Sequence, residues 1–301
     1  MTDTLTARQL LERLVAFPTV SSSTNLPLIY FVRDYFLSHG IDSEVIPNED
    51  GTKAGLIAAV GPDVTGGVAL SAHSDVVPVE GQNWTTEPWK VIEKDGKIYG
   101  RGTCDMKGFV ALAIAAMVKA KASNLKRPLQ FALSRDEEVG LLGAPDVAQG
   151  LLDKFAKVDA VLVGEPTEMK VVTGHKSCDD LQFHVRGHEV HSSLLHEGVS
   201  AVMCGARFVE WVRKQNVENQ ARAPSTVAAM YNPPFTTLHV GQINGGTANN
   251  ITAKDCYFAI DLRCVGDERP EDWRSKIQQE IASIEKEMKA IHSDSFFTMD
   301  V

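Results

Sequence analysis

The sequence lacks three features that would assign it to large classes of protein. Its five cysteines are widely spaced and form no CxxC pair, which predicts reduced thiols and excludes a disulfide framework. No apolar run approaches the roughly 20 residues of a membrane span. The beginning of the chain shows no basic region followed by an apolar core, so we expect a cytoplasmic protein without a membrane partner.

An excess of positive charge is also lacking. The chain has 30 Lys and Arg against 39 Asp and Glu, a formal net charge of -9. A nucleic-acid partner would need clustered Lys and Arg, so we expect none. The hydrophobic share of 44% and the charged share of 23% are those of an ordinary globular protein. Its 301 residues predict more than one domain.

The pattern of apolar residues along the chain predicts two domains of different architecture, one after the other. Short apolar runs at 55–60, 68–72, 129–133 and 158–163 are typical of strands buried on both faces of a largely parallel sheet, and helical stretches such as 109–122 separate them. After Ser177, strands at 181–185, 237–243 and 257–263 alternate with helices at 200–214 and 271–291, which predicts a small α+β unit. We place the boundary near Lys176, giving domains 1–176 and 177–301.

One predicted strand ends in a histidine followed closely by an acid. His73 and Asp75 stand two residues apart at the end of the run 68–72, so on an extended chain they point the same way. A metal-bound imidazole commonly donates its second N-H to a carboxylate. Ligands of open α/β sheets bind outside the carboxyl ends of strands, which is where this pair lies. Taken alone, the pair is better explained by a structural histidine than by a metal ligand.

Acids follow other predicted elements in the same way. Asp105 lies in the glycine-containing turn 100–108 before a helix, Asp136-Glu137-Glu138 follow the strand 129–133, and Glu165 follows the strand 158–163. Alone, these are a favourable charge at a helix start, a solvated charge run and a strand-end acid. Their recurrence at strand ends favours a metal site. Nitrogen and oxygen ligands without thiolates suit zinc, and also cobalt or manganese.

Together these motifs resemble the co-catalytic zinc amidohydrolases, the family that includes acetylornithine deacetylase, succinyl-diaminopimelate desuccinylase and glutamate-releasing carboxypeptidases. The resemblance runs along the whole chain, through 73–75, 100–108, 136–138, 164–167, 174–176, 191–193 and 245–251. Segments 102–109 and 174–176 look most like the acetylornithine deacetylase branch. The resemblance implies a zinc-peptidase-like α/β domain, its mostly parallel sheet flanked by helices, and an α+β dimerisation lid.

The resemblance also implies a role for each acid of the first domain. One zinc would be held by His73, Asp105 and Glu165, and Asp105 would bridge to a second zinc bound by Glu138. Asp75 would orient His73. Glu137 would be the general base that takes a proton from the attacking water and returns it to the leaving amine.

For the second domain the resemblance implies a homodimer formed through the lid. His191 would reach across the dimer to donate a hydrogen bond to the developing oxyanion. Asn250 and Arg263 would hold the carboxylate of a small N-acyl amino acid. A surface histidine and a solvated arginine are the structural alternatives for His191 and Arg263.

The resemblance finally implies that the chain returns to the catalytic domain after the lid and supplies a last histidine to the second zinc. We find no such return within residues 1–301, so we expect a complete first zinc site, a second site lacking one ligand, and apolar surface left uncovered. The expected reaction is hydrolysis of N-acetylornithine to ornithine and acetate, in arginine biosynthesis. A desuccinylase or carboxypeptidase, and a zinc-binding dimer without turnover, are the alternatives.

Overall fold

The computed structural model describes residues 4–300 of the chain. The chain divides into two compact units between Lys170 and Val171. Each unit has its own hydrophobic core, as expected of independently packed domains.

The first unit is built on a mixed five-stranded sheet. Its strands are β1 (Ser43–Pro47), β2 (Ala54–Val60), β3 (Val68–His73), β6 (Leu129–Ser134) and β7 (Ala160–Val163), and a separate hairpin joins β4 (Ile92–Lys94) to β5 (Lys97–Tyr99). The order in the main sheet is β1-β2-β6-β3-β7. β3 pairs in parallel with both β6 and β7, whereas β1, β2 and β6 pair antiparallel. The strands followed by the predicted site residues are therefore the parallel ones.

Helices cover both faces of this sheet. They are α1 (Ala7–Val15), α2 (Leu26–Ser38), α3 (Lys107–Lys121) and α4 (Ala144–Lys154). Successive residues of a strand face opposite sides, so Leu56 packs in the core with α1, α2 and α3, while Ile57 packs with Val147 of α4. The predicted α/β class, a sheet flanked by helices, is confirmed.

The expected burial of every apolar strand is wrong for β7. Val161, Leu162 and Val163 are 58%, 53% and 56% exposed. β7 is the last strand of the sheet order and pairs only with β3 among the described residues. Its successive side chains face opposite sides of the sheet and are all exposed, so both faces of the sheet are open at this strand. An apolar run predicts a strand but does not reveal whether that strand lies at an edge.

The second unit is an antiparallel sheet with two long helices. Its elements are β8 (Asp179–Arg186), α5 (Ala201–Ala221), β9 (Thr237–Gly245), β10 (Asp255–Arg263), α6 (Pro270–Ile291) and β11 (Phe296–Asp300). The strand order is β11-β8-β10-β9, the arrangement of a split βαβ unit. Phe258 of β10 packs in one core with Phe208 of α5 and Ile277 of α6. This confirms the α+β prediction.

Across residues 4–300, no helix combines the length and apolarity that a membrane crossing requires.

Candidate metal centre

The predicted site residues of the first unit lie at one edge of its sheet. His73 is the last residue of β3, Glu137 and Glu138 closely follow β6, and Glu165 closely follows β7. These three strands are neighbours and run in parallel, so their carboxyl ends meet at one place. The topology therefore brings together residues that are far apart in the sequence.

Distances from the His73 ring describe the cluster. His73 Nε2 lies 3.0 Å from Asp105 Oδ1, 3.8 Å from Glu165 Oε1 and 3.9 Å from Glu137 Oε2. The ligand atoms of His73, Asp105 and Glu138 all lie within 4.8 Å of one another. His73 is buried, whereas the carboxylates are partly exposed. A single ion could therefore contact the imidazole and several carboxylates at once.

Two glycines allow the loops around the cluster to approach closely. Gly102, in the loop that carries Asp105, has φ +80°, and a Cβ there would lie 2.9 Å from Val76. A Cβ on Gly164 would lie 2.0 Å from the ring of Phe109, near the start of α3. The absence of a side chain at Gly164 lets the end of β7 pack against α3. This packing places Glu165 beside the loop that carries Asp105.

Asp75 supports His73 from the side away from the acids. His73 Nδ1 lies 2.9 Å from the backbone carbonyl oxygen of Asp75 and 3.5 Å from its Oδ1. The carbonyl oxygen is thus the nearer acceptor, where the sequence predicted the carboxylate. Either acceptor directs Nε2 at the acidic cluster, which is the orientation of a metal-ligating imidazole.

Crowding of the carboxylates changes their proton affinities. Burial raises the pKa of Glu138 to about 7, with a further contribution from the charge on Asp105. The pKa of Glu165 is raised by the same causes, burial first and then Asp105 and Glu137. Burial alone would lower the pKa of His73, but hydrogen bonds to Asp105 and Asp75 outweigh it and raise the pKa to about 10. The cluster therefore favours positive charge at its centre.

The donor set fits a divalent cation. One buried imidazole faces the four carboxylates of Asp105, Glu137, Glu138 and Glu165, and no described cysteine belongs to the group. Zinc accepts imidazole and carboxylate ligands at about 2.0 to 2.2 Å. A cation here would replace repulsion between the acids with attraction, so these residues form a candidate metal site.

The other predicted residues lie in the second unit. His191 is exposed and precedes a short 3₁₀ helix, Ser192–Glu197, where Ser193 N donates to its Nδ1 at 3.2 Å. Asn250 is exposed, and its backbone carbonyl oxygen accepts a hydrogen bond from the Ser192 backbone N-H at 2.9 Å. Arg263, at the end of β10, pairs with Asp261 at 2.7 Å. His191 and Asn250 are thus near each other, and Arg263 has an acidic neighbour.

Sequence reasoning missed three polar residues packed around the cluster. Ser21 donates its hydroxyl to Asp75, and Lys53 pairs with Asp136. Lys107 is fully buried and donates to the Phe17 carbonyl oxygen at 2.7 Å, and burial lowers its pKa to about 7. Lys107 lies in the glycine-containing turn 100–108, where the sequence could have identified it. Ser21 and Lys53 carry no local signal, because only tertiary contacts bring them to the site.

Comparisons with known proteins agree with this geometry. The model of peptidase family M20/M25/M40 matches residues 69–276. Acetylornithine deacetylase of Myxococcus xanthus is 35% identical over 296 residues, covering 96% of this chain and 74% of that protein. Acetylornithine deacetylase of Pasteurella multocida (strain Pm70) is 32% identical over 281 residues, covering 91% and 72%.

Solved structures show the same fold at low sequence identity. An M20 family metallo-carboxypeptidase from Sulfolobus solfataricus superposes with a TM-score of 0.73 at 13% identity, covering 98% of this chain and 78% of that one. The family predicted from the motifs is confirmed by the family model and by the curated relatives. On this evidence the chain belongs to peptidase family M20/M25/M40.

Proposed function

We propose that this chain is a zinc-dependent amidohydrolase that converts N-acetylornithine to ornithine and acetate. The observation that carries the proposal is the convergence of four carboxylates on the buried imidazole of His73, at the carboxyl ends of three parallel strands. The acetyl group and the ornithine are supported by two relatives that are named acetylornithine deacetylases. Neither relative is a desuccinylase or carboxypeptidase by name, so the deacetylase is the favoured member of the family.

The ligand assignment is the one that the family resemblance implies, and the closeness of these side chains supports it. We assign His73, Asp105 and Glu165 to one zinc, and Asp105 and Glu138 to a second. Bound zinc would lower the pKa of water and polarise the acyl oxygen of the substrate. His73 can ligate through Nε2 because its Nδ1 faces the Asp75 carbonyl oxygen. The fixed ring then needs no reorientation when the ion binds.

Glu137 is the proposed proton carrier. Its Oε2 lies 3.9 Å from His73 Nε2, beside the proposed ligands, and its side chain is 30% exposed. The backbone N-H of Glu137 donates to Asp75 Oδ1 at 3.1 Å, so the loop is held while the side chain stays available to solvent. Glu137 would accept a proton from the attacking water and deliver it to the amine of ornithine.

The second unit supplies the proposed substrate contacts. Because the Ser193 N-H donates to His191 Nδ1, a neutral His191 ring carries its proton on Nε2 and can donate to a developing oxyanion. We propose that His191 does so at the metal centre of the partner subunit in a homodimer. Asn250 and Arg263 would bind the carboxylate of the amino acid, for which the guanidinium has the matching bidentate geometry.

The test compares substrates on protein of known metal content. Release of amine from N-acetylornithine, N-succinyl-diaminopimelate and an N-acetyl amino acid without a second amine is measured before and after chelation. The proposal expects preference for N-acetylornithine and loss of activity on chelation, restored by zinc. A preference for the succinyl substrate would assign the alternative family member. Bound zinc with no hydrolysis of any substrate would assign a metal-binding protein without turnover.

A further inference from the structure

A segment near the N-terminus braces the loop that carries His73 and Asp75. The segment 17–25 joins α1 to α2, and its hydrogen bonds run along the loop 73–76. Thr19 Oγ1 donates to the Ser74 carbonyl oxygen at 2.6 Å, and Val76 N donates to the Thr19 carbonyl oxygen at 3.0 Å. Because these contacts are buried, they hold the loop without competition from water.

Ser21 connects this segment to two acids at once. Its hydroxyl donates to Asp75 Oδ2 at 2.7 Å, and its carbonyl oxygen accepts from Lys53 Nζ. The same ammonium group pairs with Asp136 Oδ1. Ser21 is 7% exposed and Asp136 is 4% exposed. A continuous polar chain therefore runs from Asp75 through Ser21 and Lys53 to Asp136.

Asp136 sets the turn that presents the next two acids. Its φ of 54° is in the left-handed region, which Asp tolerates better than most residues. The two backbone N-H groups that follow, of Glu137 and Glu138, donate to the Asp75 carboxylate at 3.1 and 3.3 Å. Such consecutive amides make a small anion-binding concavity. The turn and the Asp75 carboxylate thus fix each other.

We propose that Ser21 and Lys53 are positioning residues of the metal centre. They fix the Asp75 carboxylate and the Asp136 turn relative to each other. The turn presents Glu137 and Glu138, and Asp75 orients the His73 ring, its carbonyl oxygen lying 2.9 Å and its Oδ1 3.5 Å from Nδ1. Neither Ser21 nor Lys53 lies among the proposed ligands, and both act through Asp75 or Asp136. This inference rests on the proposed function, because it requires that the acidic cluster binds metal.

The physical effect expected is on metal affinity first. Outer partners that orient metal ligands typically change affinity by about 10- to 100-fold when they are removed. Ser21→Ala removes one hydrogen bond to Asp75, and Lys53→Met removes the cation that faces Asp136. Because both changes affect one connected network, the double variant should lose less than the product of the two single losses.

The experiment measures zinc affinity by calorimetry on chelator-stripped protein. Ser21→Ala and Lys53→Met should each weaken zinc by about 10- to 100-fold, and Lys53→Arg should restore most of the loss. Ser23→Ala is the matched control, since Ser23 is exposed in the same segment. At saturating zinc, kcat should fall in both single variants while KM stays near the wild-type value.

Two outcomes overturn the inference. The first is that both single variants bind zinc as tightly as the control Ser23→Ala does. The other is a loss that matches a fall in the unfolding temperature of the metal-free protein and that Lys53→Arg does not rescue, since that would be a purely structural role. If Ser21→Ala does not fold, Lys53→Met decides the question alone, because the Lys53 side chain is 18% exposed and its replacement disturbs the core less. Failure of the proposed function is seen separately, as a wild-type protein that binds no zinc.

Discussion

Replacing Glu137 with glutamine should separate proton transfer from metal binding. Glu137 Oε2 lies 3.9 Å from His73 Nε2, almost the same distance as Glu165 Oε1 at 3.8 Å, so the substitution is what distinguishes a proton carrier from a ligand. The amide of Glu137→Gln keeps the size of the side chain but cannot accept the proton. The bond from the Glu137 backbone to Asp75 involves the main chain and survives the change. The loop should therefore keep its shape.

The expected magnitude comes from the chemistry that is lost. A positioned general acid or base contributes about 10²- to 10⁴-fold, so kcat should fall by that factor, equivalent to about 2.7 to 5.5 kcal/mol of transition-state stabilisation. Zinc content should stay at the wild-type value, because Glu137 is not among the proposed ligands. Glu138→Gln, by contrast, removes a proposed ligand and should lose metal as well as rate.

The assay is amine release from N-acetylornithine together with zinc content by atomic emission on the same samples. Glu168→Gln is the control, since Glu168 lies on the same unit and its side chain is 87% exposed. A rate within twofold of wild type in Glu137→Gln would refute the assignment of the proton carrier. Loss of zinc in that variant would instead place Glu137 among the ligands.

Three further predictions concern other parts of the mechanism and the stability of the first unit. His191→Ala should lower kcat about 10²- to 10³-fold, which corresponds to the 2.7 to 4 kcal/mol that one oxyanion donor usually contributes. His196→Ala is the control, because His196 is a 74% exposed neighbour and its loss should leave kcat unchanged. Equal rates in both variants would show that His191 is only a surface residue. In the metal-free protein the pKa of Asp75 is about 2, because hydrogen bonds from His73, Ser21 and Glu137 outweigh the effect of burial. Because this folded pKa lies below the ordinary 3.8, ionised Asp75 adds about 2 kcal/mol to the free energy of unfolding above pH 3.8, and this stability is lost as the pH falls towards 2. In denaturant unfolding, Asp75→Asn should lack this acid-dependent loss. An acid dependence equal to that of the wild type would contradict the assignment. Zinc at 100 times its Kd should add about 2.7 kcal/mol to the free energy of unfolding. Calorimetry should show this as a rise of about 5 to 10 °C in the unfolding temperature of the first unit. The same unfolding temperature in zinc and in chelator would argue against zinc binding by the folded state.

The parts of the structure that repeat a local pattern could be predicted from the sequence. Three apolar runs predicted strands, and each run is followed by a histidine or an acid: His73, the acids after β6, and Glu165. Because neighbouring parallel strands end on the same side of a sheet, the runs also predicted the edge at which these side chains meet. The helix predicted at 271–291 likewise agrees with α6, Pro270–Ile291, to within a residue at its start. Local pattern and tertiary structure agree at these places.

Other features depend on contacts that no local pattern records. The exposure of β7 reflects the lack of cover on both faces at the last strand of the sheet, and the short strand β11 at Phe296–Asp300 is specified by its pairing with β8. In the polar chain from Ser21 through Lys53 to Asp136, the bonded pairs are 32 and 83 positions apart in the sequence. A serine and a lysine in loops are common in any sequence, so Ser21 and Lys53 give no local sign of such a role. Only the folded chain places them under the acidic cluster.

The most direct measurement is anomalous diffraction at the zinc absorption edge from crystals grown with zinc. The proposed centre predicts an anomalous peak about 2.0 to 2.2 Å from His73 Nε2 and from carboxylate oxygens of Asp105 and Glu165. A peak on other residues, or no peak at this cluster while zinc is bound elsewhere in the molecule, would contradict the proposed metal centre and the hydrolysis built on it.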